Sequence, residues 1–319
     1  MIELIANKQL FMILVFIAVI LFLLIIDLGL FNKKDHVISI KESLCLSAFY
    51  VFMGLSFSLW IWYEMGSQSC IEYLTGYLIE KSLSFDNIFV FSIIFSSLAI
   101  PPKYQHRVLF FGILGVIILR ALMILIGTQL VTNFSWILYV FSIFLIFMGI
   151  KMLSTKEIIT DINNNKLLNF MHQHLRVTKE FHGNKFIVRK KTTQSDKKKL
   201  YITPLLLALI FIEFTDLIFA VDSVPAIFII TQDPYIVYTS NIFAILGLRA
   251  LYFAISVFIG RFEYLKITLG IILIFIGSKI FVADFFHIEK IPPYISLIVT
   301  IGLLTLGALY SIYKSKHNS

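Results

Sequence analysis

The sequence predicts an all-α polytopic membrane protein of about nine transmembrane helices, and three observations predict it. Apolar stretches near transmembrane length recur from one end of the chain to the other. Only 14% of the 319 residues are charged, where a soluble chain carries about a quarter. Hydrophobic residues make up 59%, 32 of them Phe, and mean hydropathy is +0.89. The runs are too long for barrel strands, which leaves helices as the way to satisfy every backbone group in lipid.

The predicted spans are about 10–31, 43–63, 73–99, 107–128, 134–153, 202–231, 240–260, 264–282 and 292–313. The first has no basic leader and no small-residue cleavage site, so it is expected to be retained. The nine spans form a single transmembrane domain over 1–319. Segment 154–200 is the one sizeable soluble piece within it.

Orientation follows from the basic residues. Lys33, Lys34, Lys41, Lys103, Arg107, Arg261, Lys266, Lys314 and Lys316 fall on one side of a nine-span chain, with eleven more between Lys156 and Lys199. The other side carries Lys8 and Lys290. The positive-inside rule puts the N-terminus outside and the C-terminus in the cytoplasm. The +8 net charge therefore reflects topology, and nucleic acid is not an expected partner. Segment 154–200, with Asn163, Asn164 and Asn165 and with His172, His174 and His182, reads as a solvated, partly disordered loop against anionic headgroups.

Cys45 and Cys70 lie at opposite ends of one predicted span, roughly 37 Å apart at helical rise. That is beyond disulfide reach, and neither belongs to a CxxC pair.

Spans 3–5 and 6–8 carry matching fragments in the same order. Asp86-Asn87 answers Asp222-Ser223, Ile113-Leu114-Gly115 before Arg120 answers Ile245-Leu246-Gly247 before Arg249, and Met148-Gly149 in span five answers Ile276-Gly277 in span eight. An offset of three spans inverts the second unit. Inverted repeats are characteristic of secondary transporters, with the site near the midplane at the repeat interface.

The charged residues concentrate there. Glu80, Asp86 and Asn87 lie in span three; Glu213, Asp216, Asp222 and Ser223 lie in span six. An ionised side chain at the bilayer centre costs at least roughly 2.5–3.5 kcal/mol, so such acids point to a functional site. Glu80 with Asn87, and Asp216 with Ser223, are seven apart and share a helix face. Pro225 cannot donate to the carbonyl of Val221, and a break there would put a free carbonyl beside Asp222.

Lys81, Arg120 and Arg249 are expected as charge-compensating or gating groups, and Asp27 in span one as a minor member. Six acids against three bases leave an excess of negative charge that calls for a cation or protons. The ligands are hard oxygens with no buried His, which suits Mg²⁺, Ca²⁺ or Mn²⁺. A structural salt-bridge cluster is the competing reading.

The stretch Glu80-Lys81-Ser82-Leu83-Ser84-Phe85-Asp86-Asn87, the run from Glu213 to Ala226, and Asn241 to Tyr252 resemble three signatures of the TerC/Alx family of bacterial membrane proteins. The resemblance covers about residues 20–285. It implies a multi-pass protein of the bacterial cytoplasmic membrane, linked to Mn²⁺ export, alkaline response and metal loading of secreted proteins. It carries Glu80, Asp86, Glu213, Asp216 and Asp222 over as functional acids, with Asn87 and Ser223 beside them.

The expected function is export of a divalent cation, Mn²⁺ first, in exchange for protons by alternating access. The bilayer, the metal ion and protons are the expected partners. No prosthetic group and no enzymatic activity are expected. A membrane scaffold for metallation or insertion of other proteins is the alternative. An intramembrane aspartyl protease fits poorly, because Asp86 and Asp222 lack the flanking Tyr and Gly-x-Gly settings.

Overall fold

The computed structural model describes residues 2–31, 40–154, 177–178, 181, 183–192, 195–255, 263–288 and 291–317; the side chains of Asp86 and Asp222 lie outside the described set. The chain is an all-α polytopic membrane protein, with one antiparallel pair of β-strands among the described residues. Its elements are α1 (Ile2–Phe31), α2 (Ile40–Met65), α3 (Ser67–Ser97), α4 (Pro102–Asn133), α5 (Ile137–Ser154), β1 (Ile187–Thr192), β2 (Ser195–Ile202), α6 (Pro204–Ile230), α7 (Pro234–Leu246), α8 (Leu248–Ile255), α9 (Glu263–Phe285) and α10 (Pro293–His317). Eight described segments are long and apolar enough to cross a membrane, with α7 and α8 counted as one. Helix α3 is 31 residues long but carries Glu72, Glu80, Lys81 and Asp86.

Two compact units result, 1–38 and 39–319. The first is α1, with Asp27 near its C-terminal end. The second holds everything else. There α2 and α3 form a hairpin with a single residue between them, Gly66, at φ +90. That left-handed conformation favours glycine. Tyr73 Oη donates to Gly54 O at 3.0 Å across the pair.

The helix surfaces follow burial, not polarity. On α4, Arg120, Ile124, Gly127 and Val131 recur at helical spacing and are buried. Ile118, Leu122 and Leu125 on the opposite side are exposed by 70%, 56% and 65%, as a lipid-facing stripe requires. Helix α3 hides its hydroxyls by turning them onto its own carbonyls: Thr75 on Ile71, Ser82 on Leu78 and Ser84 on Glu80.

Within the second unit α3 packs on α7 as α4 packs on α6, and α5 lies along α9. The α5–α9 seam is a backbone-to-backbone contact. A Cβ on Gly149 would stand 2.5 Å from Gly270 O and 2.6 Å from the Ile274 side chain; one on Gly277 would stand 2.7 Å from Ser142 O and 3.0 Å from Ile146. Only glycine lets the two helices approach this closely.

Three expectations are corrected. Residues 187–192 and 195–200 fall in the segment read as a loop, and strands β1 and β2 pair there antiparallel, with Val188 opposite Tyr201. Branched and aromatic residues between the lysines suit a strand, and the predicted start of span six at 202 gives way to Pro204. The strand pair is tied to the base of α6, where Thr203 Oγ1 donates to Lys185 O at 2.8 Å and Thr178 N donates to Ile202 O at 2.8 Å. The His172, His174 and His182 positions lie outside the described residues.

The second correction is the break. Helix α6 runs on through Pro225, and the interruption lies at Gly247 between α7 and α8. Third, span seven begins at Pro234, not 240. The Asp233 carboxylate caps it, accepting from Tyr235 N at 2.8 Å and Ile236 N at 3.5 Å.

Candidate functional site

Arg120, 1% exposed, is the centre of the site. It lies past the middle of α4 and reaches across to α3, α6 and α7. Its Nη1 meets Glu80 Oε1 at 2.7 Å, and its Nε meets Asp216 Oδ2 at 3.3 Å. Nη1 also donates to Ser223 Oγ and to Asn241 Oδ1, both at 2.7 Å. Asn87 Nδ2 donates to Asp216 Oδ1 at 3.0 Å, and Asn241 Nδ2 to Val237 O at 3.1 Å. Four helices are joined through one guanidinium. Its planar fork can serve several oxygens at once, which an ammonium cannot do in the same geometry.

Two shared faces read from the seven-residue spacing are seen. Glu80 and Asn87 both turn into the cluster from α3, as do Asp216 and Ser223 from α6. Asn241 joins them and was not among the expected site residues. Its signal was the Asp233-Pro234 helix start. Counted from there, Asn241 lies two turns inside a transmembrane helix, where a lone amide is costly without a partner. Placing the span start at 240 made it look like an end residue.

Two oxygens of the cluster have no hydrogen-bond partner among the described residues: Glu80 Oε2 and Asn87 Oδ1. Buried acceptors are rarely left so. Glu80 and Asp216 set two carboxyl groups around the one guanidinium of Arg120. The described group is thus an oxygen cage with spare acceptor capacity.

Apolar clusters close the cage on both sides along α4 and α6. One contains Val108, Leu109, Leu205, Ala208 and Phe211, the other Ile124, Val131, Val224, Ile227 and Phe228. Glu80, Asp216 and Arg120 are each at most 1% exposed between them.

Glu213, one turn before Asp216, sits apart. Its carboxylate lies in a notch of α4 made by Gly112 and Gly115, so close to Gly115 that a Cβ there would collide with it. Its Oε2 has no hydrogen-bond partner among the described residues. Lys81 points the other way from Glu80 and donates to Ala244 O at 3.0 Å. Arg249 does not share the Arg120 cluster; its guanidinium stands 6.0 Å from the Phe110 ring centroid. Val221 is 45% exposed, so its side chain lies on the outer face of α6. Asp27 belongs to the first unit. Asp86 and Asp222 lie outside the described side chains.

The expectation of no buried histidine is corrected. His106, 8% exposed, lies in the first turns of α4 and stacks on Phe253 with ring centroids 6.3 Å apart. It is more than three turns from Arg120 along the helix, so the oxygen character of the cage stands. Among the described residues no three of His, Cys, Asp and Glu form a metal-holding group. Arg120 occupies the space between the acids.

The comparisons agree with this architecture. The family model described as "Integral membrane protein TerC family" matches residues 65–319. An uncharacterized membrane protein of Rickettsia bellii is 51% identical over 300 residues, covering 94% of this chain and 96% of that protein. The uncharacterized membrane protein STKORF319 of Myxococcus xanthus is 44% identical over 302 residues, covering 95% and 92%. A Salmonella typhi protein described as "Putative membrane-bound redox modulator Alx" is 46% identical over 300 residues, covering 91% and 90%. No solved structure matches. With a family model spanning most of its length, the chain belongs to the integral membrane protein TerC family.

Proposed function

We propose that the chain exports a divalent cation, Mn²⁺ first among candidates, across the bacterial cytoplasmic membrane by proton-coupled alternating access. The observation that carries this reading is the cage of hard oxygens from α3, α6 and α7, closed in the described state on the tethered cation Arg120. Carboxylate, amide and hydroxyl oxygens suit Mn²⁺, Mg²⁺ and Ca²⁺. Glu80 Oε2 and Asn87 Oδ1 are acceptors in waiting. In this reading Arg120 holds the acids together when substrate is absent and swings aside when a divalent ion replaces it. Apolar packing on both sides suits one occluded state of such a cycle.

The inverted repeat belongs to the same proposal. The α5–α9 seam supports it, because its contacts map onto themselves. Exchanging Gly149 with Gly277, Ile146 with Ile274 and Ser142 with Gly270 turns each contact into the other. The proposed orientation keeps the N-terminus outside and segment 154–200 in the cytoplasm. A redox role, as in the printed name of the Salmonella relative, has no thiol pair to act through, since Cys45 and Cys70 are free and lie near the N-terminal ends of two antiparallel helices.

The test is Mn²⁺ flux into proteoliposomes carrying the purified chain and a trapped metal-sensitive dye. Wild type should move Mn²⁺. Asp216→Asn should reach the membrane and not move it, since the charge that offsets metal dehydration has gone. Mn²⁺ flux at the wild-type rate through Asp216→Asn would remove the cage from the mechanism. Absence of flux in wild type would leave the scaffold reading in its place.

A further inference from the structure

One strongly basic element leaves the bundle beside the starts of α4 and α6. Strands β1 and β2 hold Arg189, Lys190, Lys191, Lys197, Lys198 and Lys199 against the single acid Asp196. Their register sets Lys190 opposite Lys199 and Lys191 opposite Lys198. Like charges directly opposite destabilise a strand pair, so this ribbon calls for an anion. Successive residues of a strand alternate between its two faces. Ile187, Arg189 and Lys191 of β1 therefore share a face with Ile202, Leu200 and Lys198 of β2. Ile187 is 52% and Leu200 60% exposed, an aliphatic pair at the root of a cationic face. That root is fixed at the ends of two helices long and apolar enough to cross a membrane. Phe186 meets Phe111 of α4 edge-on, with ring centroids 5.2 Å apart, and the Arg107 guanidinium lies 5.7 Å from the Phe186 ring centroid. Two residues past β2, α6 starts at Pro204. Aromatic rings beside basic side chains at the ends of such helices mark the headgroup level of a bilayer.

We propose that the face of the ribbon carrying Ile187, Arg189, Lys191, Lys198 and Leu200 is a binding surface for anionic lipid headgroups. Its pattern matches a layer of phosphates over an apolar layer. The basic residues supply charge to the phosphates, and Ile187 and Leu200 enter the layer beneath. A disordered loop would spread these charges; the paired strands gather them on one face beside two exposed aliphatic residues. Nucleic acid or an acidic protein would use the charges and leave Ile187 and Leu200 in water, so the bilayer is the favoured partner. Each basic residue close to an anionic leaflet changes the bound-to-free ratio roughly five-fold. The surface lies apart from the Arg120 cage, and the proposal holds whatever the cage carries.

The test uses the full chain with Cys45→Ser and Cys70→Ser, in vesicles of phosphatidylcholine alone or mixed with phosphatidylglycerol. Ile187→Cys or Leu200→Cys places an environment-sensitive fluorophore on the proposed face, and Lys199→Cys places one on the other. Phosphatidylglycerol should shift the emission at positions 187 and 200 to the blue and bring both probes within reach of a headgroup-level lipid quencher. The probe at position 199 should not respond. Adding Arg189→Gln, Lys191→Gln and Lys198→Gln should lower the bound-to-free ratio about a hundred-fold and so remove the shift. Probes at 187 and 200 that stay in water with phosphatidylglycerol present overturn the proposal. So does an equal shift in phosphatidylcholine alone, or one that survives the triple substitution. An equal response at position 199 overturns the choice of face. A response to dissolved RNA without one to phosphatidylglycerol overturns the lipid partner in favour of another polyanion.

Discussion

At the residue scale the decisive object is a single guanidinium. Arg120 satisfies two acids, an amide and a hydroxyl, so its loss strands charge in a dry interior. Arg120→Gln leaves Glu80 and Asp216 facing each other, and breaking a buried pair in this way costs roughly 3–5 kcal/mol. Membrane abundance of Arg120→Gln should fall, and adding Asp216→Asn should restore much of it without restoring Mn²⁺ flux. Quantitative immunoblots of membrane fractions beside flux assays check both. An Arg120→Gln protein as abundant as wild type would show the cluster to be held by other contacts. Gly115 gives a second residue-scale expectation. A methyl group there runs into the Glu213 carboxylate. Gly115→Ala should cost about 1–3 kcal/mol as overpacking. Glu213→Ala in the same chain should relieve it, read as the midpoint of thermal aggregation in detergent.

The α3 and α6 members of the cage were readable in the sequence because acids in an apolar run are rare and their seven-residue spacing fixes a shared face. Which partner they take was not readable. Arg120 and Arg249 occupy comparable places in two similar spans, yet the four polar groups around Arg120 do not include Arg249. That difference comes from helix packing between segments about a hundred residues apart, which no local pattern encodes.

At the scale of elements, periodicity was silent for a physical reason. In α4 the buried stripe, apart from His106 and Arg120, is as apolar as the lipid stripe, so little in the pattern marks the inner face. Length and composition therefore found the spans but not their orientation about their own axes. The start of α7 carries a readable cap at Asp233-Pro234, and it was missed because that cap was not used to place it. Asp233→Ala should cost about 0.5–2 kcal/mol, with earlier proteolysis or faster hydrogen exchange confined to the first turn of α7. Unchanged exchange there would mean the cap carries little of the helix start. The seam between α5 and α9 is stricter. Gly149→Leu places a large side chain where a Cβ alone would meet Gly270 O at 2.5 Å, and the two helices should separate. A cysteine pair across the same two helices, Tyr139→Cys with Phe281→Cys, should be bridged by a short bifunctional reagent in the parent chain and escape it with Gly149→Leu added.

At the scale of the whole molecule the buried charges set an order of events during synthesis. Helix α3 with Glu80 leaves the ribosome before α4 with Arg120, and Asp216 follows 96 residues after Arg120. At about 5–20 residues per second, Arg120 waits roughly 5–20 s for its second acid. Through that interval Glu80 is its only carboxylate partner in the Arg120 cluster. The finished structure treats the two acids almost alike, but the insertion machinery does not. Glu80→Gln should cut the yield of inserted chain, because α4 enters the bilayer with an unpaired cation. Asp216→Asn should leave the yield near normal, because α4 is already paired when α6 arrives. Arrest of synthesis between α4 and α6 would catch the chain as a half-built ion pair, stable in lipid before any transport pathway exists.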